Sequence, residues 1–228
     1  MPERPAILLV HGAWHGSWCW EPLRTLLESD GWRVDTVDLP SVAPADAPRH
    51  GMHDDAAAIR AAITGPTVIV AHSYGGIPAT QATHPEVEHI VYVAAFLPDL
   101  NDSLMKMVGG TPPPWWDTQN DVIHAKTPET IFFNGVENPP TDALLPQSAK
   151  AFAEEVTEAA WHTTPSTYVI ATQDNAIPPP AQEAMARRAT TTERLDAGHS
   201  PFLSCPQDLA AIIQRTVSPL RRSSPASG

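Results

Sequence analysis

Three short segments carry side chains able to move a proton and attack a carbonyl carbon. The first is Ala71-His72-Ser73-Tyr74-Gly75-Gly76, which closes the β-branched run Val68-Ile69-Val70. A serine with small residues two places before and two places after it suits the tip of a tight strand-to-helix turn. Only small neighbours let the two backbones approach there. Ala71 stands where that pattern usually has glycine, and it is still small. In isolation the same residues would serve an ordinary N-cap serine. The second segment, Gly198-His199-Ser200-Pro201, follows the last apolar run. An imidazole titrates close to neutrality, so His199 is suited to take a serine proton. The third, Thr172-Gln173-Asp174-Asn175-Ala176-Ile177-Pro178, puts a carboxylate just past another apolar run. Asp174 is placed to fix the imidazole tautomer and to stabilise the imidazolium, although an Asx turn before proline would use it equally well. Asp196, close to His199 in sequence, and Asp99 are the rival acids.

A fourth segment completes the set. His11-Gly12-Ala13-Trp14-His15-Gly16 directly follows the first apolar run. Acyl transfer needs two N–H groups aimed at the oxygen that becomes negative, and these are expected from the backbones of Ala13 and Tyr74. Gly12 and Gly16 allow the unusual backbone such a loop needs. Four signals, each bland alone, fall in order at successive strand ends. Together they point to nucleophilic acyl transfer by Ser73, with Asp174 and His199 behind it and no metal or organic cofactor.

The elements that must hold these residues alternate between short apolar runs and amphipathic ones. Strands are expected at 6–10, 33–37, 67–71, 90–94, 167–171 and 192–195, rich in Val and Ile as strands buried on both faces should be. Helical patterns lie at 18–29, 54–63, 75–83, 180–189 and 206–217, the last two opening on proline in the first turn. The rhythm is that of βαβ units. It predicts an α/β fold with a mainly parallel sheet of about six strands and helices on both faces. Residues 98–164 break it, with prolines clustered at 112–114 and 139–140. A structureless loop that long is unusual, so two helical patches at 144–153 and 154–161 suggest an inserted helical lid. The expected core is thus 1–97 with 165–228, the lid 98–164, and 219–228 a frayed end.

Composition narrows the partners. The chain has 228 residues, 42% hydrophobic and 18% charged, which fits one folded α/β domain. A formal charge of −12, with only 14 Lys and Arg spread along the chain, argues against nucleic acid or an anionic membrane surface. No apolar run approaches the ~20 residues of a membrane span, and the start lacks a signal-peptide pattern. Cys19 and Cys205 are expected as reduced thiols in a cytoplasmic protein rather than as a disulfide. Asn101-Asp102-Ser103 fits a glycosylation sequon but reads as a bare loop. A homodimer stays open, and the partner expected is a small-molecule ester.

The quoted segments resemble a family. His-Gly-Ala-Trp-His-Gly-Ser-Trp at 11–18, Ala-His-Ser-Tyr-Gly-Gly at 71–76, Asp-Asn-Ala-Ile-Pro-Pro at 174–179 and Gly-His-Ser-Pro-Phe-Leu-Ser-Cys-Pro at 198–206 look like the α/β-hydrolases of the plant methylesterase and hydroxynitrile lyase group and its bacterial esterase relatives. The likeness is weakest across 98–164. It implies a Ser73–Asp174–His199 triad and an oxyanion hole at Ala13 and Tyr74. The lyases of the rubber-tree type carry Thr where Gly12 stands and Lys where Ser200 stands, and the resemblance assigns those groups to cyanohydrin binding and cyanide release. With a neutral Ser200 and no hydroxyl at Gly12, ester hydrolysis is the expected chemistry. Trp14, Trp115 and Trp116, with Gly12 and Ser200, are the candidate substrate pocket for a small hydrophobic or aromatic ester, although the rings would equally pack the lid onto the core. Phe132 and Phe133 share that ambiguity. The alternatives are a hydroxynitrile lyase, a biosynthetic tailoring enzyme and a non-catalytic ligand receptor. An aspartate at position 73 would have pointed to dehalogenation instead.

Overall fold

The computed structural model describes residues 4–218, so the frayed end expected at 219–228 lies outside the described residues. Its strands are β1 (Ala6–Val10), β2 (Val34–Val37), β3 (Thr67–His72), β4 (Val87–Val93), β5 (Trp116–Gln119), β6 (Val122–Ala125), β7 (Gln147–Ser148), β8 (Ser166–Ala171) and β9 (Thr191–Leu195). The helices are α1 (Glu21–Ser29), α2 (Met52–Ala62), α3 (Gly76–Gln81), α4 (Leu104–Met107), α5 (Pro128–Ile131), α6 (Ala149–Ala153), α7 (Pro179–Ala186), α8 (Pro201–Ser204) and α9 (Pro206–Val217).

Each apolar run expected as a strand is one. Six of the strands form a parallel sheet in the order β2-β1-β3-β4-β8-β9. Side chains alternate across it. Leu8, Val10, Ile69 and Ala71 join one buried cluster with residues of α2 and α3. Ile7, Leu9, Val68 and Val70 join the other with residues of α1 and α9. A strand buried on both faces has to be apolar along its buried stretch, and residues 6–10 and 68–71 are.

The insert departs from the helical lid expected at 98–164. It carries an antiparallel sheet, β5-β6-β7, beside the short helices α4, α5 and α6. Of the expected helical patches, 144–153 reduces to α6 and 154–161 ends in a 3-10 turn at Ala160–His162. The cause is a tight hairpin. Gln119 pairs with Val122, which leaves Asn120 and Asp121 as a two-residue turn. Both have positive φ, 46° and 65°. Asn and Asp tolerate that conformation better than other side chains, and it matches the twist of the flanking strands. The lid rings Trp116, Phe132 and Phe152 belong to the same apolar cluster as Leu8 and Ile69, so the insert is seated on the core.

The topology decides where a site can form. β1 pairs with β2 on one side and with β3 on the other, so the chain reverses its winding between β1 and β3. A crevice opens beyond the carboxyl ends of strands at such a switch point. The loop 11–16 leaves β1 there and Ser73 leaves β3.

Candidate active site

Ser73 sits where β3 stops and a 3-10 turn, Ser73–Gly75, leads into α3. Its φ is 53°, a left-handed conformation that a residue with a Cβ enters only under constraint. The constraint is visible at its neighbours. A Cβ on Gly75 would lie 2.4 Å from the carbonyl oxygen of His11, and one on Gly76 would lie 2.1 Å from that of Phe96. The Phe96 N–H also donates to the Ser73 carbonyl at 3.0 Å. The turn is packed against two backbone segments, and only glycine fits at either place. Ala71 replaces the first glycine of the usual pattern without penalty, because it is a fully buried strand residue.

Three side chains form a hydrogen-bonded row. The Ser73 Oγ is 3.0 Å from His199 Nε2, and His199 Nδ1 is 2.8 Å from Asp174 Oδ2. Asp174 and His199 are both buried, so neither is solvated by bulk water. The Asp174 Oδ1 accepts the N–H groups of Ala176 at 2.7 Å and Ile177 at 2.9 Å. Its Oδ2 also accepts from Gln182 Nε2 at 2.9 Å. A carboxylate surrounded by donors is an acceptor only, so His199 Nδ1 carries the proton and Nε2 is free to accept from Ser73. The Asx turn expected for Asp174 is real and coexists with the link to His199. The rival acids stand elsewhere. Asp196 accepts from Thr172 Oγ1 and Gln173 Nε2, and Asp99 pairs with His162 at 3.0 Å.

Other groups steady the row from positions that sequence reasoning gave no role. His72 Nε2 donates to the His199 carbonyl at 2.8 Å, and the Asn134 side chain donates to the Gln173 carbonyl at 2.8 Å. Gln182 Oε1 accepts from the Ala171 N–H at 3.0 Å, which aims its Nε2 at Asp174. His72 lies inside a quoted motif. Gln182 and Asn134 carry no local sequence signal at all.

The loop after β1 is held by its own imidazoles. His11 Nε2 accepts the Leu39 N–H at 2.9 Å, so His11 Nδ1 is the protonated nitrogen and donates to the Gly12 carbonyl at 2.8 Å. In a trans peptide the carbonyl and the next N–H point opposite ways. Capturing the Gly12 oxygen therefore turns the Ala13 N–H outward. His15 Nδ1 holds the Ala13 carbonyl in the same manner at 2.8 Å. Burial keeps His11, His15 and His72 neutral by lowering their pKa values, that of His15 to about 3.

A narrow cavity lies over Ser73, with about 30 Å³ of room for the centres of water-sized molecules. Ala13 and Tyr74 line it, together with Trp14, Trp115, Trp116, Phe132 and Phe152. Gly12 and Ser200 do not, contrary to expectation. Gly12 lies beneath the site, where a Cβ would be 2.8 Å from that of Ser73. Ser200 is buried with no partner for its hydroxyl among the described residues, and its carbonyl caps the turn into α8. The Trp and Phe ambiguity resolves both ways. Trp14 stacks on Phe132 at 5.3 Å while both face the cavity, whereas Phe133 packs against His15.

Behind Tyr74 lies a buried carboxylate. Asp55 accepts from the Tyr74 hydroxyl at 2.6 Å, the Ser41 hydroxyl at 2.6 Å and the Ser41 N–H at 2.9 Å. Burial nevertheless pushes its pKa up to about 6, because desolvation outweighs those bonds. The unfolded carboxyl releases its proton near 3.8, so the folded state holds the proton more tightly between these values. Asp55 thus costs stability as pH rises through that window, by about 3 kcal/mol at most. Asp55→Asn should remove the dependence, since both hydroxyls can turn round to accept. Urea unfolding of the two proteins should show the variant gaining about 1–3 kcal/mol on wild type between about pH 4 and about pH 7. A difference that does not change with pH would refute the assignment.

The Alpha/beta hydrolase family matches residues 7–212. The chain belongs to that family. Methyl jasmonate esterase 1 of Vitis vinifera is 26% identical to this α/β-hydrolase, over 92% of this chain and 95% of the relative. The carbendazim hydrolyzing esterase of Nocardioides sp. strain SG-4G is 33% identical over 47% of this chain and 48% of its own. The crystal structure of a pyrethroid hydrolase from Sphingobium faniae JZ-2 has the same fold, with a TM-score of 0.82 at 23% identity over 98% of this chain and 99% of that one. The α/β-hydrolase described here is an enzyme of the esterase type. Among its described residues no helix is long and apolar enough to cross a membrane.

Proposed function

We propose that this α/β-hydrolase cleaves a compact, apolar carboxylic ester through an acyl-enzyme formed on Ser73. The observation that carries the proposal is the row Ser73–His199–Asp174 opening into an apolar cavity. His199 takes the Ser73 proton as Oγ attacks the ester carbonyl. The N–H groups of Ala13 and Tyr74 hold the oxygen that becomes negative. His199 then protonates the departing alcohol, and water repeats the sequence on the acyl group. Asp174 holds His199 in the tautomer the first step needs and stabilises the imidazolium.

Lyase chemistry is disfavoured on two grounds. No cation stands at position 200, and a threonine at position 12 would run into Ser73 and His72. The rings that line the cavity support that substrate class, since they offer an apolar acyl or alkyl group contacts that a charged group would forfeit. Free thiols at Cys19 and Cys205 suit a cytoplasmic enzyme.

A panel of p-nitrophenyl and methyl esters graded in chain and ring size, run beside mandelonitrile, tests the proposal. Turnover should be highest for the small apolar esters, with fluorophosphonate labelling Ser73 and no cyanide released. Cyanide release faster than ester hydrolysis would reverse the choice. A protein that resists the fluorophosphonate would be a receptor.

A further inference from the structure

We infer that Trp14 sets the length of substrate this enzyme accepts, by walling the catalytic cavity off from a partly apolar surface groove beside it. The inference rests on the ester-hydrolase reading above and names the residue that limits its substrates. Trp14 lines the cavity over Ser73, and it also lines a second hollow with about 180 Å³ of room by the same measure. Pro128, Leu144, Leu145 and Pro146 give that hollow an apolar wall, and His124 and Thr141 add its polar groups. The cavity itself is narrow, at about 30 Å³. Trp14 lines both the small space and the large one.

The backbone supports a role for this side chain. Trp14 has φ 62°, in the left-handed region where glycine is at ease and a bulky residue is strained. Such a strained backbone persists only where its surroundings hold it. The ring is also pinned. Its Nε1 donates to the Ile123 carbonyl at 2.7 Å, the Leu145 N–H donates to the Trp14 carbonyl at 2.9 Å, and the ring stacks on Phe132. A ring fixed in this way is a wall. Phe96 separates the cavity from another hollow of about 330 Å³, but Asp102 and Arg188 line that one, 3.5 Å apart. An alkyl chain entering there would have to strip water from an ion pair. Among the described residues no such ion pair lines the groove beside Trp14.

Trp14→Gly tests the inference, because glycine adopts the backbone freely and removes the ring, together with its bond to the Ile123 carbonyl and its stack on Phe132. Two readouts apply. The first is calorimetric binding of butyrate and octanoate, carboxylates of the kind the reaction would release. Wild type should bind octanoate no more tightly than butyrate, and Trp14→Gly should bind it at least about ten-fold more tightly, within what four more buried methylenes can supply. The second is kcat/KM across p-nitrophenyl acetate to decanoate, whose optimum should move to longer chains. Adding Leu145→Trp to Trp14→Gly refills the hollow and should return both profiles to the wild-type form. Trp14→Phe shortens the wall without emptying it and should move the optimum by fewer carbons, which keeps the test open if the glycine variant does not fold. Equal octanoate-to-butyrate ratios in wild type and variant would overturn the inference. A shifted ratio in proteins that hydrolyse no ester would leave the wall standing and sink the ester-hydrolase reading instead.

Discussion

Ser73→Ala should lower kcat/KM for the best ester of the panel by about 10,000-fold or more. The variant keeps the cavity, the N–H groups of Ala13 and Tyr74, and the His199–Asp174 link at 2.8 Å. Only the atom that forms the acyl-enzyme is gone. Substrate binding is therefore expected to survive, so the loss should fall on kcat with KM little changed. Residual turnover would come from water held near His199 beside the two N–H groups, and groups of that kind retain catalysis of about 1,000-fold over solution when a nucleophile is deleted. Alanine at φ 53° bears the same strain as serine, so thermal unfolding should not distinguish the two proteins. Hydrolysis within a few-fold of wild type in a folded Ser73→Ala protein would remove Ser73 from the chemistry altogether.

That prediction could be framed from the sequence because its evidence is local. The serine, the imidazole and the carboxylate each follow an apolar run by one to four residues, and in a parallel sheet such positions share one edge. The strand interiors were equally legible, since Val and Ile buried on both faces leave no polar alternation to confuse them. Boundaries were less so. The pattern begins the second helix at 54, whereas α2 starts at Met52, because the Asp54 carboxylate reaches back to accept the Gly51 N–H at 2.8 Å and so belongs to the first turn. The hairpin of the insert escaped because β5 and β6 are four residues each, and the Asn120-Asp121 turn that joins them looks like any polar loop. Its third strand comes from residues 147–148, which no local pattern announces. The support around the site was hidden for the same reason. Asn134 and Asp55 act through contacts between distant parts of the chain, and Gln182 reaches Asp174 only because α7 folds back on the loop, so no motif encodes them.

Asp174→Asn should cost about 1,000- to 10,000-fold in kcat while leaving KM nearly unchanged. The surroundings dictate how the new amide must sit. The N–H groups of Ala176 and Ile177, at 2.7 and 2.9 Å, demand an oxygen at the Oδ1 position. The NH2 group is then forced into the Oδ2 position, facing His199 Nδ1. A donor there makes Nδ1 the acceptor and moves the ring proton to Nε2, where it points at Ser73 Oγ. His199 in that tautomer has no lone pair to take the serine proton. Gln182 Nε2, which donates to the same Oδ2 at 2.9 Å, opposes the amide as well. The side chain cannot escape by flipping, because that would set its NH2 against two backbone N–H groups. The same exchange at the rival acids should do little. Asp196→Asn keeps an acceptor for Thr172 and Gln173, and Asp99→Asn loses only an exposed partner of His162, so both should stay within about two-fold of wild type, as remote surface changes do. Steady-state kinetics on the three variants decides among the acids. An Asp196→Asn protein as impaired as Asp174→Asn would mean that His199 takes its orientation from the wrong neighbour here.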